Sequence, residues 1–270
     1  MAVGPGMSVE FGVILPTSTP DPAKSILGDV RDSARYAEEV GLDSVWSTDH
    51  LIASAPILDS TVVLATAAAA TERITVGYNV MLLALRRVAW AAKQIITLQL
   101  LSNNRLVLGV GTGNPEHGDI GWRAAGVDFT QRGRLTDEAL AVLPELIAGK
   151  PATIGPDLEV TLSPGSTVPP IFVAGSGTRA HRRAAQYGDG WATIGMSPDE
   201  VRTNLDSINE LADGKQLKAT VIAPQLDGDP LEQLAAYEAA GTERIILPPT
   251  GDWHDDYDYA ADLRSRYQER

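Results

Sequence analysis

The sequence predicts a (β/α)8 barrel, and three observations carry that reading. About eight short apolar runs alternate with segments of helical period at nearly equal spacing. The chain has 270 residues, close to the size at which such a barrel forms one unit. Glycines and polar residues gather just after the apolar runs, where a barrel carries its functional loops. An open doubly wound sheet is the competing arrangement for the same alternation.

Taken in order, Val9 to Leu15 reads as a buried strand closed by Pro16 and Pro20. Leu27, Val30, Ala34 and Ala37 follow helical spacing, with Gly41 where a C-terminal cap belongs. Ser44 to Ser47 is a second strand that ends in the polar triplet Thr48, Asp49 and His50. Asp59 or Ser60 caps a helix through the alanine run Ala67 to Ala70. Ile74 to Val80 is a third strand, in which Gly77 signals a bulge or a close backbone approach. Val88, Ala91, Ala92 and Ile95 stripe the next helix, and Asn103-Asn104 ends it. Leu106 to Val110 then runs into Gly111, Thr112 and Gly113.

The loop Asn114 to Thr130 carries Glu116, His117, Asp119, Trp122 and Arg123, and loops of that length in compact domains are usually functional. Leu135, Ala139, Val142, Leu143 and Leu146 make a helix in which Pro144 predicts a kink or an early break. Between Pro151 and Pro170, Thr153-Ile154 and Leu158 to Leu162 suggest a small hairpin outside the main fold. The expected organisation is one domain over 1–270 with a short insertion around 151–170.

Ile171, Phe172 and Val173 lead into the turn Gly175, Ser176, Gly177 and Thr178. Ala180, Ala184 and Tyr187 then take up helical spacing, and Gly188-Asp189-Gly190 stops that helix before the run Trp191 to Ile194. A glycine-lined turn at a helix N-terminus offers free N–H groups and a positive dipole end, so it suits a phosphate; the alternative is a plain tight turn. Ser197-Pro198-Asp199-Glu200 combines an N-cap, an N1 proline and a capping-box glutamate. Lys218 to Ile222 is the seventh strand, and Asp229-Pro230-Leu231-Glu232 caps a helix that Gly241 terminates. Arg244 to Leu247 is the eighth strand, and Asp255 to Tyr267 forms a weaker last helix.

Composition narrows the function classes. With 44% hydrophobic and 21% charged residues, the chain is an ordinary globular protein. It has 0 cysteines, which excludes disulfides, thiolate metal sites and cysteine nucleophiles. A net charge of -13 argues against nucleic acid or an anionic membrane as partner. No apolar run approaches a membrane span, and Met1 to Val9 lacks the pattern of a signal peptide, so a cytoplasmic location is expected.

The fragments SVWSTDHL, ITVGYNVMLLALRRVAWAAKQIITLQLLSNNRLVLGVGTG and PPIFVAGSGTRAHRRAAQYGDGW resemble the luciferase-like monooxygenase superfamily, and within it the deazaflavin (coenzyme F420) dependent oxidoreductases. The resemblance implies a (β/α)8 barrel that binds coenzyme F420, or alternatively FMN, at the C-terminal face. It places Asp49 and His50 near the ring and puts a non-prolyl cis peptide at Asn79-Val80 behind it. It also makes Gly175, Ser176, Gly177 and Thr178 the phosphate turn. Gly111, Thr112, Gly113 and Asn114 line the same face, and Trp46 flanks the ring or fills the core. Sugar-phosphate dehydrogenases of the group carry an acidic residue after Gly-Thr-Gly; Asn114 stands there, which argues against that substrate, with Glu116 in the same loop.

His50 is the candidate general acid or base, because imidazole titrates near neutrality. Asp49 points the opposite way on an extended backbone and is suited to ordering a neighbouring loop. His117 is expected in solvent, His181 on the surface and His254 in an acidic solvated segment. Arg179, Arg182 and Arg183, or Arg86 and Arg87, are candidates to follow an anionic cofactor tail. Two rival readings are a metal-dependent hydrolase, for which only Asp49 and His50 are well placed, and a non-catalytic flavin-binding barrel. The alanine-rich second and third helices offer faces for a homodimer; the remaining partner is a small-molecule substrate.

Overall fold

The computed structural model describes residues 9–18, 28–226 and 228–270. Pro20, Leu27 and the segment before Val9 lie outside the described residues. Eight parallel strands close into a barrel. They are β1 (Glu10–Ile14), β2 (Ser44–Ser47), β3 (Thr75–Met81), β4 (Leu106–Val110), β7 (Ile171–Ala174), β8 (Gly190–Ile194), β9 (Ala219–Ile222) and β10 (Thr242–Leu247). Strands β5 (Ala152–Ile154) and β6 (Leu158–Val160) pair antiparallel outside it, as the hairpin reading expected. Closure between β1 and β10 rules out the open sheet.

The helices follow the sequence signals closely. α1 (Val30–Glu39) is followed by Gly41 at φ +84°, and α2 (Ser60–Ala70) is capped by the Asp59 carboxylate. α3 (Val88–Leu101) ends at Asn103 and Asn104, both with positive φ. The loop after β4 contains the short α4 (Ile120–Ala124) before α5 (Arg132–Ile147) begins. α6 (Thr178–Tyr187), α7 (Pro198–Leu211) and α8 (Pro230–Ala239) complete the series, α7 with both halves of its capping box formed. α9 (Trp253–Gln268) is longer than expected because Asp252 caps it two residues earlier than the apolar pattern starts.

One expectation needs correction. α5 runs through Pro144 to Ile147 without an early break. The proline falls in the last turn, where one lost i−4 bond is outweighed by the burial of Leu143, Leu146 and Ile147. Of the two roles expected for Gly77, the structure shows the close approach and not the bulge: it pairs in register with Trp46, and a Cβ there would run into the Trp46 ring. The register shift of β3 lies further on, between Tyr78 and Met81.

Inside the barrel, two large rings are accommodated by glycines on neighbouring strands. Trp46 fits over Gly12 and Gly77, and Phe172 over Gly190. Arg244 closes the N-terminal end beneath them, its guanidinium 5.4 Å from the Trp46 ring and 5.5 Å from that of Phe172. Glu10 and the Thr220 hydroxyl hold Arg244 in place. The interior is therefore a packed plug, and ligand space is confined to the opposite, C-terminal face.

Candidate active site

Asp49 and His50 leave β2 at that face and diverge, as extended backbone requires. Asp49 is 4% exposed, and both its oxygens are engaged. Oδ1 accepts from the Ser60 hydroxyl at 2.9 Å and from Arg86 Nη2 at 2.8 Å; Oδ2 accepts from Arg86 Nη1 at 2.6 Å and the Leu82 N–H at 2.8 Å. The carboxylate thus ties the end of β2 to the start of α2 and to the segment after β3. Both oxygens are taken up by protein donors, an arrangement that suits Asp49 to positioning its neighbours.

The segment that Asp49 anchors through Leu82 follows directly on the Asn79-Val80 peptide, which is cis. Val80 packs into space left by β4, because a Cβ on Gly111 would meet the Val80 side chain. On the other side of Gly111 the nearest group is Ala174, at the end of β7. Asn79 Nδ2 is buried without a partner among the described residues. An unsatisfied buried amide at the mouth of the barrel calls for an acceptor from a ligand.

Beyond β4, Thr112 is half-buried and Gly113 adopts φ +81°, against the edge of Trp122. Trp122 is buried with Leu82 and Ala84 and meets Phe129 edge-on at 5.8 Å. The Asn114 side chain accepts the Glu116 N–H at 3.1 Å and donates to the Glu116 carboxylate at 3.2 Å. Glu116 is thereby folded onto its own turn at the surface, and it does not line the cleft. His117 does: its ring centroid lies 4.8 Å from that of His50, edge to face. His117 is exposed, as expected, and its ring also borders the cleft. Its signal was Pro115 opening a short turn after Asn114, but only the tertiary fold shows where that turn points.

His50 is half-buried in a narrow cleft walled by Leu51, Ile52, Leu82, Leu85 and Trp122. Burial, and then the proximity of His117, push its imidazole below the usual histidine range, against the pull of Asp49.

Gly175 and Gly177 take φ of +122° and +82°. The Gly175 carbonyl accepts from the Trp191 indole at 2.8 Å, which fixes the turn to β8. Ser176, Gly177 and Thr178 are exposed, no side chain caps α6, and a Cβ on Gly177 would meet nothing within 4 Å. That turn lies on the same rim as His50, with two strands between them in the barrel order β7, β4, β3, β2.

Several other candidates fall elsewhere. Trp46 is 1% exposed in the barrel interior, so it does not flank a ring at the rim. Arg86 is committed to Asp49, and Arg183 is buried against Asp137 of α5. Arg87, Arg179 and Arg182 remain exposed. His181 is not free on the surface: it is half-buried, bonded to Asn204 at 2.8 Å and edge-on to Trp191. His254 stacks on Trp253 at 3.4 Å beside Asp252. Among the described residues no group of 3 or more His, Asp or Glu converges as a metal-ligand set. No helix among them is long and apolar enough to cross a membrane.

Comparison with known proteins agrees with this geometry. An F420-dependent glucose-6-phosphate dehydrogenase of Beutenbergia cavernae is 34% identical over 183 residues, covering 60% of this chain and 52% of that one. The chain therefore spans about half the length of that relative. Among solved structures, an F420-dependent secondary alcohol dehydrogenase in complex with an F420-acetone adduct superposes with TM-score 0.79 at 17% identity, covering 97% of this chain and 99% of that one. The FMN complex of the oxygenating constituent of 3,6-diketocamphane monooxygenase from Pseudomonas putida gives 0.73 at 17% identity, over 97% and 98%. At such identities the structures establish the fold. These relatives are oxidoreductases, and the family model described as luciferase-like monooxygenase matches residues 9–225. The chain belongs to the luciferase-like monooxygenase family.

Proposed function

We propose that this protein is a coenzyme F420-dependent oxidoreductase that moves a hydride between the deazaflavin and a small organic substrate. The observation that carries the reading is the convergence at one rim of a half-buried His50 and an Asn79 amide without a partner among the described residues, beside a glycine-lined strand end. The residues fit such a cofactor. Asn79 and Val80 would back the ring, the strand-end residues Gly111 to Asn114 would border it, and the turn Gly175 to Thr178 would take the phosphate. Exposed Arg87, Arg179 and Arg182 are free to follow an anionic tail.

When bound, the deazaflavin supplies a carbon that accepts or donates hydride. The chain's own residues do the rest. Asp49 and Arg86 lock the β2 end so that His50 faces the cleft, where it accepts the hydroxyl proton in oxidation or donates one in reduction. Leu82, Leu85 and Trp122 limit the access of water to that exchange.

FMN-dependent oxygenation is the second reading, favoured by the FMN-bound structural relative. A non-catalytic flavin-binding barrel would hold cofactor without turnover. Residues 1–270 are read as one domain with its insertion around 151–170, working in the cytoplasm. A homodimer is expected through α2 and α3, whose outer faces expose Val62, Trp90 and Leu101.

The test is anaerobic. Reduced deazaflavin is incubated with a panel of carbonyl acceptors, and its reoxidation is followed. Protein-dependent reoxidation is expected; oxygen uptake with reduced FMN, and none with the deazaflavin, would transfer the protein to the monooxygenases.

A further inference from the structure

The cleft contains one contact that this reading leaves unused, between the His50 and His117 imidazoles. They arrive from different elements, the end of β2 and the turn after β4, yet lie 4.8 Å apart with ring planes at 73°. His50 is half-buried and His117 is exposed. Together they run from the closed part of the cleft to solvent.

Among the described residues no other titratable side chain lines the cleft. On the β2 segment, Asp49 is saturated by Arg86, Ser60 and the Leu82 N–H. From the segment after β3, Arg86 is turned to Asp49; from the β4 loop, Glu116 is turned to Asn114. α4 contributes only Gly121 and Trp122 to the walls. Among the described residues that line the cleft, the two imidazoles are the ionisable pair, and a proton on His117 disfavours one on His50.

We propose that His50 and His117 act as one proton-exchange unit, His50 exchanging a proton with the substrate oxygen and His117 passing it to or from solvent. The relay half of this statement rests on the hydride-transfer reading above. In alcohol oxidation the C–H bond breaks with its electron pair, and the hydride reduces the deazaflavin. The O–H proton goes to His50, then to His117 and out to water; carbonyl reduction runs the same path backwards. A turn of one ring about χ2, or one bridging water, connects the ring nitrogens. His117 is a relay residue that acts through His50, not a group that touches substrate.

The experiment is an NMR titration of the histidine side chains in the apoprotein, for wild type, His117→Gln and His117→Ala. Coupling predicts that His50 titrates about one pH unit higher in both variants than in wild type. An unmoved His50 midpoint would overturn the pair. With the cofactor bound, His117→Ala should lower kcat about tenfold at unchanged KM, with free imidazole in the buffer restoring it. Full activity in that variant would overturn the relay. If wild-type protein binds neither deazaflavin nor FMN, the functional reading fails and the relay with it, while the apoprotein titration still decides the pair.

Discussion

The Asp49 carboxylate and the Arg86 guanidinium meet as a two-bond fork, Nη1 to Oδ2 at 2.6 Å and Nη2 to Oδ1 at 2.8 Å. The pair is largely withdrawn from water, with side-chain exposures of 3% for Asp49 and 17% for Arg86. Removing one partner leaves the other charge buried without compensation. Asp49→Ala is expected to lower unfolding free energy by about 3–5 kcal/mol, read by urea denaturation. It should also slow turnover, because the Leu82 anchor behind the cis peptide is lost with it. A cost no larger than that of a surface ion pair would show that the clamp is not structural.

The imidazole at His50 carries a pH signature. Its folded pKa is lowered from 6.5, first by burial and then by His117. The folded state therefore binds fewer protons than the unfolded state in the window below about 6.5, and stability falls as pH drops through that window. His50→Gln should flatten this loss, measured as midpoint denaturant concentration against pH. The same variant should bind cofactor like wild type while turning over about 10²- to 10⁴-fold more slowly. Lost binding with an intact fold would refute the acid-base role.

Gly77→Ala tests the barrel plug. The added methyl meets the Trp46 ring, and overpacking of this kind costs about 1–3 kcal/mol. Trp46→Phe in the Gly77→Ala background should recover part of that loss. Cofactor affinity should not change, since Trp46 lies in the interior; a changed affinity would put the ring back at the rim.

Gly177→Ala tests the phosphate turn. The position has φ +82°, so a side chain is strained there although nothing stands within 4 Å. A distortion worth about 1.4 kcal/mol, within the range for such backbone strain, corresponds to a tenfold weaker affinity. Calorimetric titration of the cofactor reads it. Unaltered affinity would mean that the turn does not hold phosphate.

Most of the fold was legible because its signals are local. Ser44–Ser47 and Leu106–Val110 have the bounds that their apolar runs gave, and Ser197 and Asp229 cap where their side chains said they would. β10 begins at Thr242, two residues before the expected Arg244, because polar Thr242 and Arg244 pair with β9 and are buried there, where no apolar run marks them. The site was legible in part. Adjacent residues on a strand diverge, so the separation of Asp49 from His50 could be read; the partner that saturates Asp49, 37 positions away, could not. Trp46 illustrates the same limit, since one aromatic at a strand end suits either the plug or the rim until its opposing glycines are placed. His117 reaches His50 only through the fold of its loop, for which no periodicity exists.

The most direct measurement is a fluorescence titration of apoprotein with coenzyme F420 and, separately, with FMN. The account predicts saturable, tight binding of the deazaflavin and markedly weaker binding of FMN. The reverse preference, or binding of neither, would contradict it.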